Sequence, residues 1–460
     1  MGLAVAALWY CSGHPFFWDT IQLGSKHAHW YYETGFRELL LPEKIDSGHP
    51  PAFGLYLAAA WTLFGKSLAV SHWAMLPFVL GVIGLLFPIG RYFGGAWGWA
   101  FPLLALANPA LLTQMLLISP DLVLALGFLL GLYGILYQRV GAILSGALLL
   151  AAISTRGMMV VVVLFLFDLL RLPLRKAPPL TLRHTWRTAL PYVPSGLLAL
   201  AFLSYHYLAT GWIGYHEGSE WATTFERADG ARLVRNFLIL GWRFLDVGLI
   251  FVWVGIAITA GRIWRKARAI DTPRVKEAGL LLVVATLLLS FTFLLYYSLH
   301  QHRYLLPALI ALQLFAFTLI AGSTLRRHWK AGIFTLMALG TLSGHFWVYP
   351  DSIAQGWDVT LAHLPYYRLK EEMISYLDEE SIPLGTVGTA FPEIGPQYYK
   401  DLSGRKSGFA PKNLDKQEYI LYSNVMNDFT DTEQALLKQE WETVHRLGRG
   451  GVKLVLYRKP

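Results

Sequence analysis

Residues 140–172 read VGAILSGALLLAAISTRGMMVVVVLFLFDLLRL, an apolar run interrupted at its middle by Ser154-Thr155-Arg156. The topology turns on this stretch. Read as two short helices, 140–155 and 157–172, that turn back near Arg156, it keeps a consistent alternation of membrane spans along the chain. Lys and Arg concentrate in short loops on the cytoplasmic side. With residues 12–66 outside, the two-helix reading puts Arg91, Arg139 and the loops 171–187, 262–276 and 326–330 inside, and these hold 16 of the 26 basic residues before position 350. A single long helix would invert everything after it and leave two strongly basic loops outside.

The surrounding composition demands a membrane. Of 460 residues, 55% are hydrophobic, 14% aromatic and only 15% charged, with mean hydropathy +0.42; soluble proteins carry about 25% charged residues. Disordered, collagenous and ordinary cytosolic chains are excluded. Residues 1–349 hold 26 Lys+Arg against 14 Asp+Glu, a net +12, whereas 350–460 hold 13 against 16, a net −3. The positive charge thus belongs to the apolar part, where it fits loops at a membrane rather than nucleic-acid binding. The single cysteine, Cys11, excludes an internal disulfide framework and a Cys-based zinc site.

Stretches of about 17–25 apolar residues cross a bilayer. Ten are expected, at 69–92, 97–117, 121–137, 140–155, 157–172, 190–209, 245–261, 278–297, 304–323 and 331–349. Residues 1–11 look like the outer end of an eleventh, cut short by a late start or trimming. The fold class is therefore an all-α polytopic membrane protein, about 11 transmembrane helices over 1–349, with a small α/β domain over 350–460 on the extracytoplasmic side. Alternation also leaves 12–66, 210–244 and the turn 298–303 outside. Residues 52–64 read as a helix lying on the membrane. In the tail, helices are expected near 365–377 and 432–439, and strands near 384–389, 419–422, 443–447 and 452–457, the last two joined by a Gly448–Gly451 turn. No internal repeat is seen.

The first outer loop carries Asp19, Lys26, His27, His29, Glu33, Asp46 and His49-Pro50-Pro51. Asp19 follows Phe16-Phe17-Trp18, which seats it at the interface, where low dielectric favours a general base; Asp before Thr20-Ile21-Gln22 also suits a helix N-cap. His49-Pro50-Pro51 opens the 52–64 helix with free backbone N–H groups and an imidazolium, able to hold a phosphate; the prolines also serve simply to turn the chain. Arg156, an ionisable group within apolar sequence, is a site candidate, against snorkelling or pairing with Asp121. Arg303 closes the turn His300-Gln301-His302-Arg303. Clustered histidines and carboxylates are compatible with a divalent cation, but no strong ligand spacing such as His-Glu-x-x-His is present and no metal ligands are assigned. In 210–244, Glu217, Glu220, Glu226 and Asp229 mix with Arg227, Arg232 and Arg235, as in a solvated or partly ordered loop over the site.

Taken in order, Phe17-Trp18-Asp19, Asp46-Ser47-Gly48-His49-Pro50-Pro51-Ala52-Phe53-Gly54-Leu55-Tyr56, Ser119-Pro120-Asp121 and His302-Arg303-Tyr304-Leu305-Leu306-Pro307 resemble the GT-C membrane glycosyltransferases, in particular the bacterial relatives of protein O-mannosyltransferases and of the lipid A aminoarabinose transferase. The resemblance covers residues 1 to about 350. It implies transfer of a sugar from a polyprenyl-phosphate donor to a lipid, glycan or protein acceptor on the outer face of a bacterial inner membrane, usually with inversion. It places the catalytic carboxylate at Asp19 and donor-phosphate contacts at His49, Arg156 and Arg303, with Lys26, His29, Asp46, Asp121 and His302 in support. Two positions depart from the pattern: Thr20 and Gly48 stand where many relatives have acidic residues. The readings from other classes are a polytopic transporter or lipid flippase, which usually shows repeated halves and midplane ionisable groups, and a scaffold whose catalytic loop has decayed.

Overall fold

The computed structural model describes residues 2–175, 181–218, 222–265, 272–426 and 428–460; Glu220 and parts of two basic loops, 176–180 and 266–271, lie outside them. The decisive stretch forms two helices, Val140–Ile153 and Thr155–Leu170. Ser154 between them is extended, and its side chain accepts from Gly157 N at 3.0 Å, an N-cap worth roughly 0.5–2 kcal/mol. A Cβ on Gly157 would lie 2.0 Å from the Leu150 carbonyl oxygen, so only glycine lets the second helix fold back this closely on the first. The two-helix reading is what the chain adopts.

Among the described residues, five helices are long and apolar enough to cross a membrane: 68–97, 120–137, 185–210, 273–295 and 302–322. Val140–Ile153, Thr155–Leu170, Ile250–Arg265 and Arg327–Ser343, expected as spans, are shorter helices. The expected single span at 97–117 is replaced by two helices, Ala100–Leu106 and Pro109–Leu116. The reason is Pro109, which pushes the preceding residue out of the α region. Asn108 is extended there, caps the second helix through Ala110 N at 3.0 Å and donates to Gln313 Oε1 at 3.0 Å. Gln313 in turn donates to the Leu104 carbonyl at 2.9 Å, satisfying a group freed by the break.

Ala52–Phe64 is helical, as expected of the segment lying on the membrane. The 210–244 connection, expected as a solvated or partly ordered loop, contains the ordered helix Gly230–Arg243, capped by Asp229 through Arg232 N at 2.7 Å. Its exposed face carries Val234, Phe237, Leu238 and Trp242, a helical stripe that irregular loop composition around it concealed.

The tail is a six-stranded sheet: β1 (Val387–Thr389), β2 (Gly395–Pro396), β3 (Gly408–Pro411), β4 (Tyr419–Ser423), β5 (Glu442–Arg449) and β6 (Val452–Arg458), in spatial order β2-β3-β1-β4-β6-β5. β1 runs parallel to β3 and β4; the other pairs are antiparallel. Gly450 and Gly451, at φ 57° and 84°, make the tight β5–β6 turn. Helices Pro365–Glu379 and Asp431–Glu440 cover opposite faces, the first through Leu369, Met373 and Leu377, the second through Leu437. β2 and β3, only two and four residues long, were not expected. The core beneath the first helix does not close on itself: it takes in Phe17, Trp18 and Leu117 from the helical part.

Candidate active site

Asp19 sits where the first outer loop becomes helix. Trp18 before it has φ 57°, and Thr20 Oγ1 accepts from Phe17 N at 2.9 Å and donates to Phe17 O at 2.7 Å, closing the turn. Thr20, which replaces an acidic residue of the family pattern, is therefore the brace of this turn. The Asp19 carboxylate does not cap the helix. It is directed to Arg303, whose Nη2 donates to Asp19 Oδ2.

Arg303 is the hub of the site. Its Nη1 lies 3.0 Å from Asp121 Oδ2 and its Nε 2.7 Å from Asp358 Oδ2, so the three nitrogens of the guanidinium meet three different carboxylates. Arg303, Asp121 and Asp358 are all buried, while the Asp19 side chain keeps 17% exposure at the mouth. Asp121 also pairs with Arg156 Nη1 at 2.8 Å. The Tyr304 ring lies beside both guanidiniums, 4.4 Å from Arg156 Cζ and 4.8 Å from Arg303 Cζ. Ser119 supplies the N-cap of the 120–137 helix, accepting from Asp121 N at 3.1 Å, and so frees the Asp121 carboxylate for the two arginines. Asp121 thus pairs with Arg156 and Arg303 at once.

A small cleft opens beside this network, lined by Leu23, His27, His49, Pro50, Phe53, Pro120, Asp121, Ile153, Ser154 and Arg156. His49 Nδ1 is 3.2 Å from Thr155 Oγ1. Burial, and secondarily Arg156, lowers the His49 pKa to about 4. The expected imidazolium is therefore a neutral ring in the unliganded site, because desolvation disfavours the charged form beside an existing cation. Gly48 owes its identity to packing: at φ 65°, a Cβ there would lie 2.7 Å from Gly214 O and 2.9 Å from the Trp212 ring. An acidic side chain has no room here. Gly48→Asp is expected to displace the His49 turn and lower the thermal unfolding temperature; an unfolding temperature equal to wild type would contradict this.

Four supporting candidates lie apart from the cleft. Asp46 binds His206 Nε2 at 2.9 Å and Gly48 N at 2.8 Å, pinning the loop to the end of the Val193–Thr210 helix. His302 turns away from its neighbour Arg303 and meets Asp246 at 3.0 Å, where Arg243 also binds at 3.1 Å. His29 is enclosed by Trp61, Tyr398 and Tyr399. Lys26 stands 6.0 Å from the Tyr399 ring. These four share the first loop or the last outer turn with site residues, but their side chains serve packing between segments.

One residue beside the cleft was named in the first loop without a role, and one was missed. His27, four residues after Leu23 on the helix that Asp19 opens, lines the cleft, and that spacing was a usable signal. Asp358 lies in the short 3-10 turn Trp357–Val359, between the helices Arg327–Ser343 and Pro365–Glu379, with no motif around it. Gln114 Nε2 holds its carbonyl at 2.7 Å, and Gln114 Oε1 is itself fixed by the Ser119 hydroxyl. Among the described residues, no group of three or more His, Cys, Asp and Glu side chains is arranged to hold a metal ion; the space the three aspartates share is filled by the Arg303 guanidinium.

No family profile matches the chain, and no curated protein matches its sequence. Solved structures do match over almost its whole length. ArnT from Cupriavidus metallidurans bound to undecaprenyl phosphate superposes with a TM-score of 0.55 at 12% identity, covering 99% of this chain and 96% of ArnT. The same protein in the apo state gives a TM-score of 0.53 at 12% identity over the same shares. The chain thus has the fold of ArnT, the GT-C fold that its motifs resemble.

Proposed function

We propose that this protein is a membrane glycosyltransferase that moves a sugar from a polyprenyl-phosphate donor to an acceptor hydroxyl on the extracytoplasmic face of a bacterial inner membrane, with inversion. The observation that carries the reading is the convergence of Asp19, Asp121, Arg156, Arg303 and His49, from four separate segments, on one end of the helical bundle. A solved structure of the same fold holds undecaprenyl phosphate.

The roles follow from the geometry. Asp19, partly exposed and with Oδ1 not engaged by Arg303, takes the proton of the acceptor hydroxyl as the sugar–phosphate bond breaks. Arg156 and His49, which line the cleft, meet the donor phosphate and the charge that develops on it. With Nδ1 beside Thr155, His49 offers Nε2 to the ligand. Arg303, expected on the phosphate, is assigned instead to the carboxylates, since Nη1 and Nη2 donate to Asp121 and Asp19 and Nε faces Asp358 as an ion pair. No covalent sugar–enzyme intermediate and no second nucleophile are required. The C-terminal domain shares the extracytoplasmic side because Asp358 and the Phe17–Trp18 packing join it to the site. The gathering of ionisable groups at one end of the bundle disfavours a transporter.

The test is transfer by purified protein in proteoliposomes, using a radiolabelled polyprenyl-phosphate-linked pentose or hexose and lipid, glycan or protein acceptors. No transfer from any such donor would overturn the reading. Within that assay, His49→Ala and Arg156→Ala should each raise the donor KM roughly tenfold or more, the scale of a lost hydrogen bond to a charged group, with a smaller change in kcat. Unchanged donor KM in both variants would move the phosphate site elsewhere.

A further inference from the structure

Asp358 comes from the segment leading into the C-terminal domain, yet it completes the coordination of a buried arginine in the helical part. Asp19 takes one terminal nitrogen of Arg303 and Asp121 the other; Asp358 takes Nε at 2.7 Å. The Nη1 and Nη2 contacts tie the fork to the helical part, and the Asp358 carboxylate, 2.7 Å from Nε as an ion pair without hydrogen-bond geometry, brings the tail's charge onto the same guanidinium. The Asp358 backbone is itself anchored to Gln114, and the neighbouring Trp357 donates through Nε1 to Asn424 O at 2.9 Å, so the position of the carboxylate is determined from both sides.

The same domain grips the loop that carries Asp19. The Phe17 ring stacks on His363 at 4.5 Å and meets Tyr366 and Tyr367 edge-on; the Trp18 ring meets Phe391 at 5.3 Å; Phe16 N donates to Lys400 O at 2.7 Å. Both partners of the Arg303–Asp19 contact are therefore held by the tail.

We propose that Asp358 is a positioning residue of the transfer site, acting through Arg303 to orient Asp19, so that the C-terminal domain is part of the catalytic machinery. This rests on the transfer reading above. The charges support a role other than stabilisation. Among the described residues, Asp19, Asp121 and Asp358 form ion pairs with Arg303 and Arg156 alone, Arg243 acting from further off, so three carboxylates share two guanidiniums, and Asp358 Oδ1 has no hydrogen-bond partner. Such an arrangement costs stability. Arg303, Asp19 and Asp121 face Asp358 directly, Arg243 acts from the Gly230–Arg243 helix, and His302 lies beside Gly356. Burial is the main cause that raises the Asp358 pKa to about 6, opposed by Arg303.

A carboxyl with a raised folded-state pKa favours the native state below that pKa and loses this contribution as pH rises through it. Function runs the other way, because the ionised form is the one that holds Arg303. Asp358→Asn keeps the size and shape of the side chain and removes the charge; Asp358→Ala removes both. At pH 8, Asp358→Asn should unfold thermally at a temperature equal to or above wild type while kcat falls about tenfold or more, a loss typical of a misplaced catalytic group. The donor KM should change little. Wild-type kcat should also fall as pH drops through about 6, and Asp358→Asn should lack that limb. The inference is overturned if wild type transfers sugar and Asp358→Asn matches it across the pH range, or if Asp358→Asn loses thermal stability in step with activity. If wild type itself transfers nothing, the transfer reading fails instead. Should Asp358→Ala not fold, the Asn variant alone decides.

Discussion

Asp19→Asn is expected to lower the rate of sugar transfer by roughly 10²–10⁴-fold, the contribution typical of a general base, while the protein inserts and folds normally. The amide keeps an oxygen for Arg303 and cannot take a proton from an acceptor hydroxyl. It also removes one negative charge from a cluster in which three carboxylates share two guanidiniums, so folding has little reason to suffer. The comparison is of kcat in proteoliposomes, with thermal unfolding in detergent as the control. A loss of less than about tenfold would assign the proton to another group, and Asp121, which shares Arg303, would be the first to examine.

Arg303→Met carries the second large effect and differs in kind. Asp19, Asp121 and Asp358 would then face one another with Arg156 alone as an ion-pair partner, and Asp121 and Asp358 are buried. Removing one partner of a buried ion pair typically costs about 3–5 kcal/mol because the other charge is left behind. Both stability and transfer should therefore collapse, in contrast to Asp19→Asn, which should lose transfer alone. Adding Asp358→Asn to Arg303→Met should recover part of the thermal stability and none of the activity. Equal stability of Arg303→Met and wild type would mean that the three carboxylates do not share the guanidinium as described.

Much of the fold was legible because its signals are local. The Ser154-Thr155-Arg156 interruption, with a cap and a glycine in reach of each other, specifies a helical turn-back without reference to distant chain. The tail strands β4, β5 and β6 follow from alternation and the Gly450-Gly451 turn. Where the reading failed, a single residue or a short element was responsible: Pro109 broke an apolar run whose hydropathy was uniform, and β2 and β3 are too short to show a period.

For the candidate site, sequence determined the residue types and their order. Asp19, His49, Asp121, Arg156 and Arg303 stand out because charge within apolar sequence is costly and so rarely incidental. Their partnerships were decided only by tertiary structure. Whether Arg303 meets a phosphate or a carboxylate, whether Asp46 lines the site or pins His206, and whether His302 points with Arg303 or away to Asp246 depend on side-chain direction across helices that are distant in sequence. Asp358 is the extreme case: nothing local marks it, and it belongs to the site solely because the tail packs Phe17 and Trp18 into its own core and carries that carboxylate to Arg303. Local periodicity and the cost of burying charge act along the chain, whereas the pairing that neutralises a buried charge acts through space.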